Sequence, residues 1–156
     1  MTQPHKSMPD DPAHALNPPL VVKAAAAFQA ISGIYLAASA FQMLTSIVFY
    51  GDLAMLQYAN WALAVSGVFQ VFLAAQTIRM RTTFTFIAVP FNILLAIIVA
   101  AWIATNVHFM IFSVMQLGTL IFTWCAGALM PFTIGPTRRA GAARRALEAE
   151  GLDLGV

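Results

Sequence analysis

The sequence predicts an all-α polytopic membrane protein, an antiparallel four-helix transmembrane bundle, and three observations lead there. Apolar residues make up 60% of the chain and charged residues 9%, against about 25% charged in soluble domains; a surface of this composition would not stay in water. The apolar residues gather into four runs, 20–50, 53–78, 84–105 and 109–130. At about 1.5 Å of rise per residue each can cross a hydrocarbon core of about 30 Å. Finally, the eight Lys and Arg residues fall at or before the start of the first run, between the second and third, and after the fourth. Four crossings put these three places on one side, and the positive-inside bias makes that side the cytoplasm. The expected location is the plasma (inner) membrane, with both termini cytoplasmic.

Residues 1–19 are polar and carry Pro4, Pro9, Pro12, Pro18 and Pro19, a composition that buries too little apolar area to offset the entropy of ordering. A disordered tail is expected there. The first run follows. Lys23 before an apolar stretch and Ala38-Ser39-Ala40 imitate a signal peptide with its cleavage site, but the run stays apolar through Phe49 and is read as a span. Gly51 and Asp52 are the expected first turn. Tyr58, Trp61 and Trp102 are placed at one headgroup level and Trp124 at the other, as amphipathic rings prefer.

Arg79 and Arg81 interrupt the apolar sequence just before the third run, the mark of a hairpin pinned by charge. Pro90 removes one backbone hydrogen bond inside that run and is expected to bend it. Asn106 to His108 are the expected second turn, and Pro131 and Pro136 the stop of the fourth run. Residues 131–156 then form a basic tail whose segment 137–150 suits a short surface helix, with Arg144 and Glu148 at i, i+4. Arg138, Arg139, Arg144 and Arg145 lie just beyond the span, where each attracts anionic lipid headgroups by about 1 kcal/mol.

No Asp, Glu, Lys, Arg or His occupies the middle of any run. Proton-coupled transport usually needs an ionisable group at membrane depth, haem and metal sites need His, Cys or carboxylate ligands that converge, and a nucleophile needs a base beside it. The single cysteine, Cys125, excludes an internal disulfide or a CxxC pair. No catalytic residue, metal site or cofactor is therefore expected, and the charge placement argues against nucleic acid as a partner.

Neutral polar residues remain, at helical spacing. Ser32, Tyr35, Ser39, Gln42 and Ser46 share a face of the first run; Asn60, Gly67, Gln70, Ala74 and Thr77 one of the second; Ser113, Gln116, Thr123 and Gly127 one of the fourth. The third run carries Ala88, Asn92, Ala96, Ala100 and Ala104 at intervals of four. Small residues let helices approach and polar ones bond across the interface. Tyr35, Gln70, Asn92 and Gln116 are the mid-depth candidates, either for hydrogen bonds between helices or for lining a neutral cavity. A short internal similarity, residues 30–35 (AISGIY) and 64–69 (AVSGVF), puts Gly33 and Gly67 at similar depth on oppositely directed spans and predicts that the two helices cross there.

The function expected from this pattern is that of a non-catalytic integral membrane subunit, an accessory of a larger complex or a homo-oligomer. Its expected partners are membrane lipids and either itself or another integral membrane protein. The alternative is a channel or facilitator for a small neutral solute or lipid.

Overall fold

The computed structural model describes residues 15–47, 54–108 and 114–149. The tail before residue 15, the Gly51-Asp52 turn, Ser113 and the chain end lie outside them, as do the side chains of Ser46 and of residues 106–108. Among the described residues five α-helices follow one another: α1 Leu20–Ile47, α2 Ala54–Ile78, α3 Thr82–His108, α4 Val114–Leu129 and α5 Ile134–Ala149, the last two joined by a 3-10 turn, Met130–Thr133. Lipid offers backbone amides no partner, so an apolar chain of this kind satisfies them within each helix. Four helices, with α4, the 3-10 turn and α5 counted as one, are long and apolar enough to cross a membrane. They form the antiparallel bundle expected from the composition: α1 packs on α2 and α4, and α3 packs on the same two neighbours.

The buried positions advance by three and four residues in turn. On α1 they include Val22, Gln29, Leu36 and Met43, and on α3 Thr85, Ala88, Asn92, Val99 and Trp102. This is the spacing of helices that wrap with a slight left-handed crossing. It also shows why the row at strict intervals of four on the third run divides: Ala88, Asn92 and Ala96 are buried, while Ala104 is exposed. A step of four turns about 40° past the full circle, so such a row drifts off the contact face.

The α-helical part of the fourth run ends at Leu129, just before Pro131, yet the chain continues helically through both prolines. The buried register runs from Gln116 through Thr123, Met130 and Thr133 to Thr137 and Ala140 without a break. Pro131 sits at the start of the 3-10 turn, and Pro136 in the first turn of α5, where a missing N–H is tolerated. Threonine hydroxyls serve the carbonyls of this stretch: Thr133 Oγ1 donates to the Met130 carbonyl at 2.7 Å and Thr137 Oγ1 to the Thr133 carbonyl at 2.8 Å. The third helix likewise passes through Pro90 and continues to His108, so Asn106 to His108 belong to the helix and not to a turn.

The α2–α3 turn is compact and strained. Met80 N–H donates to the Thr77 carbonyl at 2.9 Å and Arg81 N–H to the Gln76 carbonyl at 3.3 Å, the paired bonds of a Schellman close. That close requires a left-handed residue, and Met80 takes it at φ 48°, where glycine would be free and an L residue costs about 1–2 kcal/mol. Burial offsets the cost: the Met80 side chain, 1% exposed, packs with Val22 of α1 and Ala140 of α5. The turn thus holds the start of α1 and the flank of α5 together.

Backbone meets backbone where α1 crosses α2. A methyl group added to Gly33 would stand 2.5 Å from the Gly67 carbonyl oxygen, and one added to Gly67 would stand 2.6 Å from the Gly33 carbonyl oxygen and 2.8 Å from the Ala37 amide. Gly135, by contrast, has nothing within 4 Å of an added methyl. Gly33→Ala and Gly67→Ala should each lower stability by about 1–3 kcal/mol, the usual penalty of overpacking, while Gly135→Ala should be neutral or stabilising by up to about 1 kcal/mol. Thermal unfolding in detergent checks this, and equal effects at the three sites would contradict the crossing.

Candidate functional site: a buried polar column

The bundle interior carries polar side chains at every level. Gln29, Ser32, Ser39, Gln70, Asn92, Gln116, Thr119 and Thr123 are fully buried, whereas Ile34, Phe41, Val65, Val68, Leu94, Ile97 and Ile121 face outward. These polar groups share the interior with an apolar core of Leu36, Met43, Leu63, Leu95 and Val99, while the outer faces are apolar. The cause is the solvent: hydrocarbon gains nothing by excluding Leu from itself, but a polar group facing it goes unpaired.

The central level links all four spanning helices. Asn92 Nδ2 of α3 donates to the Ala88 carbonyl at 2.7 Å, which turns Asn92 Oδ1 toward Gln70. Gln70 Nε2 of α2 donates to that oxygen at 2.8 Å, which turns Gln70 Oε1 toward Ser32. Ser32 Oγ of α1 donates to it at 3.2 Å. Ser32 Oγ also lies 2.6 Å from Thr123 Oγ1 of α4, a hydroxyl pair in which either oxygen can donate. Thr123 Oγ1 donates to the Thr119 carbonyl within α4 at 2.6 Å. Polar contacts therefore run without a gap from α4 through α1 and α2 to α3. The glycine crossing sets this up, because Ser32 adjoins Gly33 and Gln70 lies one turn from Gly67.

Further levels continue the column along the bundle axis. Ser39 and Thr119 share a 3.0 Å hydroxyl contact. Toward the arginine end, Thr77 Oγ1 donates to Gln29 Oε1 at 3.3 Å and Thr85 Oγ1 approaches Thr137 Oγ1 at 3.5 Å. At the far end Trp102 Nε1 donates to Asn60 Oδ1 at 3.0 Å. Two amide atoms, Gln29 Nε2 and Gln76 Oε1, are buried without a protein partner.

The four mid-depth candidates do not converge. Gln70 and Asn92 are bonded to each other, and Gln116 is buried on α4. Tyr35 lies on the outside, 38% exposed, its ring over Gly118 and 5.3 Å from the Phe122 ring. At 100° per residue Tyr35 stands about 60° from Ser32, on the side away from the Leu36 and Gln29 face; Gln42 is exposed for the same reason. Trp102 is 6% exposed and bonded to Asn60. Tyr58, Trp61 and Trp124 do face outward.

The arginines divide as well. Arg144 does not pair with Glu148: its Nη2 donates to the Arg79 carbonyl at 2.6 Å. Arg138 lies over the Phe86 ring at 5.1 Å, Arg145 Nε donates to the Gly141 carbonyl at 3.3 Å, and Arg139 is exposed. Gln29, Thr85, Thr119, Thr133 and Thr137 were not singled out from the sequence. Their signal was present in the steps of three and four that join Thr119, Thr123, Thr133 and Thr137 to Gln116 and Met130.

Among the buried side chains described there is no carboxylate, imidazole or amine, and among the described residues no three His, Cys, Asp or Glu side chains converge. The column can exchange hydrogen bonds, and it holds no group that takes up a proton near neutral pH. No family model matches the sequence, and comparison with curated proteins and with solved structures finds no similar chain.

The Gln70–Asn92 bond should show coupling. Gln70→Leu and Asn92→Leu should each cost about 0.6–2 kcal/mol, and the double variant less than their sum, because each single change leaves the other amide unpaired. Strict additivity in unfolding measurements would mean that the two amides do not meet.

Proposed function

We propose that this protein is a non-catalytic integral membrane subunit that acts through helix and lipid contacts, as an accessory of a larger membrane complex or as a homo-oligomer. The single observation that carries the reading is that the central polar groups bond to one another across all four helices, leaving the outer faces for recognition. Those faces are apolar and grooved. One groove of about 430 Å³ runs between α2 and α3, walled by Leu63, Leu95 and Trp102 among others, and another of about 330 Å³ lies between α3 and α4, beside Trp124. Side chains of a neighbouring span can fill such surfaces with van der Waals contact. The basic end is proposed to be cytoplasmic, in a plasma (inner) membrane, because the cations gather there.

Extraction from native membranes directly into lipid discs, followed by native mass measurement, tests this reading. The expected result is a stable assembly, with a stoichiometric partner or with further copies of the chain. A lone, partnerless chain in both mild detergent and lipid discs would refute it.

A second reading, a facilitator for a small neutral solute, is favoured by one feature: polar side chains recur at several levels of the interior, and among the described residues Gln29 Nε2 and Gln76 Oε1 are buried without a hydrogen-bond partner. On this reading, flux into liposomes proceeds without a pH gradient, since the column offers no titrating group, and Gln70→Leu abolishes it. Flux unchanged by that substitution would exclude passage along the column.

A further inference from the structure

One end of the bundle is strongly cationic. The described residues there comprise Lys23, the two arginines flanking Met80 and the four arginines of α5, with Glu148 as the only described carboxylate. α1 and α3 begin at this end and α2 ends at it, so the helix dipoles largely offset one another and the side-chain cations set the charge. Arg144, half-buried, is already engaged: its guanidinium donates at 2.6 Å to the Arg79 carbonyl at the C-terminus of α2, a favourable place for a cation. Ala140 packs on Met80 beside it, and an added methyl on Gly141 would stand 2.7 Å from Thr82 Oγ1. α5 is thereby held against the α2–α3 turn.

We propose that the turn and α5 together form a seat for acidic phospholipid headgroups, contacted by Arg79, Arg81, Arg138, Arg139 and Arg145, with Arg144 an internal strut of the seat and not a lipid ligand. Charge complementarity selects an anion, and guanidinium groups bind phosphate oxygens in bidentate fashion. Position selects lipid over a soluble acidic protein. Ile78, Phe86 and Phe132, all exposed apolar side chains, lie on the neighbouring turns, and Arg138 itself stacks over Phe86. The cations therefore stand where the hydrocarbon-facing surface ends, the level that headgroups occupy. This inference does not depend on whether the protein is a subunit or a facilitator.

The test reconstitutes the full chain in bilayers of phosphatidylcholine with a minor fraction of phosphatidylglycerol and measures boundary-lipid selectivity with spin-labelled lipids of each type. The unmodified chain should prefer phosphatidylglycerol roughly tenfold, and about 0.5 M salt should remove most of the preference. The triple variant Arg138→Gln, Arg139→Gln, Arg145→Gln should lose most of it. Arg144→Gln should keep the preference to within about twofold while unfolding at a lower temperature. Equal affinity for the two lipids in the unmodified chain, or a preference indifferent to salt, overturns the proposal whether or not the variants fold. So does a preference that survives the triple substitution, or one lost in a folded Arg144→Gln chain. Binding of an acidic soluble protein without lipid selectivity would assign the surface to that partner instead.

Discussion

Every polar side chain placed in hydrocarbon must find its partner within the protein, and the bundle is arranged by that constraint. The polar contacts that join Thr123, Ser32, Gln70 and Asn92 use one side chain from each spanning helix. Its parts are mutually dependent, because the direction of each bond follows from the next: the Ala88 carbonyl orients Asn92, Asn92 orients Gln70, and Gln70 orients Ser32. A helix that rotated or slid by one residue would strand at least two of these groups in lipid. Apolar packing alone tolerates such slips, since hydrocarbon-facing Leu and Ile are equally content on any helix face. The buried amides therefore specify the register, as a lone buried Asn does in a coiled coil.

Two further devices hold the helices where the chain of bonds needs them. The reciprocal approach of Gly33 and Gly67 brings α1 and α2 close enough for the short Ser32 side chain to reach Gln70. At the arginine end, the strained Met80 turn is covered by Val22 and Ala140 and capped by Arg144. This contact ties α5 to the hairpin, and the unbroken buried register from Gln116 to Ala140 carries it back to the central level. Packing at the basic end and hydrogen bonding at mid-depth are thus two anchors on one continuous helical segment.

The number of spans was legible because hydrophobicity over some 20 residues is a strong signal that needs no tertiary context. Gly33 and Gly67 could be paired because their depth follows from counting residues along rigid helices. What failed was angular placement. Ser32 and Tyr35 are three residues apart and share a face at the resolution of a spacing pattern, yet the first is buried and the second is 38% exposed. Only the neighbours Gln29 and Leu36 reveal which edge of that face turns inward. The general preference of indoles for headgroups names no partner for Trp102, and the acceptor that fixes its ring, Asn60, comes from another helix. Pro131 marks the end of α4, whose last residue is Leu129, but proline is excluded from helix interiors and not from first turns. A 3-10 step between α4 and α5 gives both prolines such a place.

The central claim is that Ser32 and Thr123 meet inside the bundle while Tyr35 faces out, and paired-cysteine crosslinking tests it most directly. In a Cys125→Ala background, Ser32→Cys with Thr123→Cys should form an intramolecular disulfide in membranes under mild oxidation, and Tyr35→Cys with Thr123→Cys should not. The reverse pattern, with Tyr35 crosslinking and Ser32 inert, would mean that the first helix is rotated and that the hydrogen-bond chain does not exist.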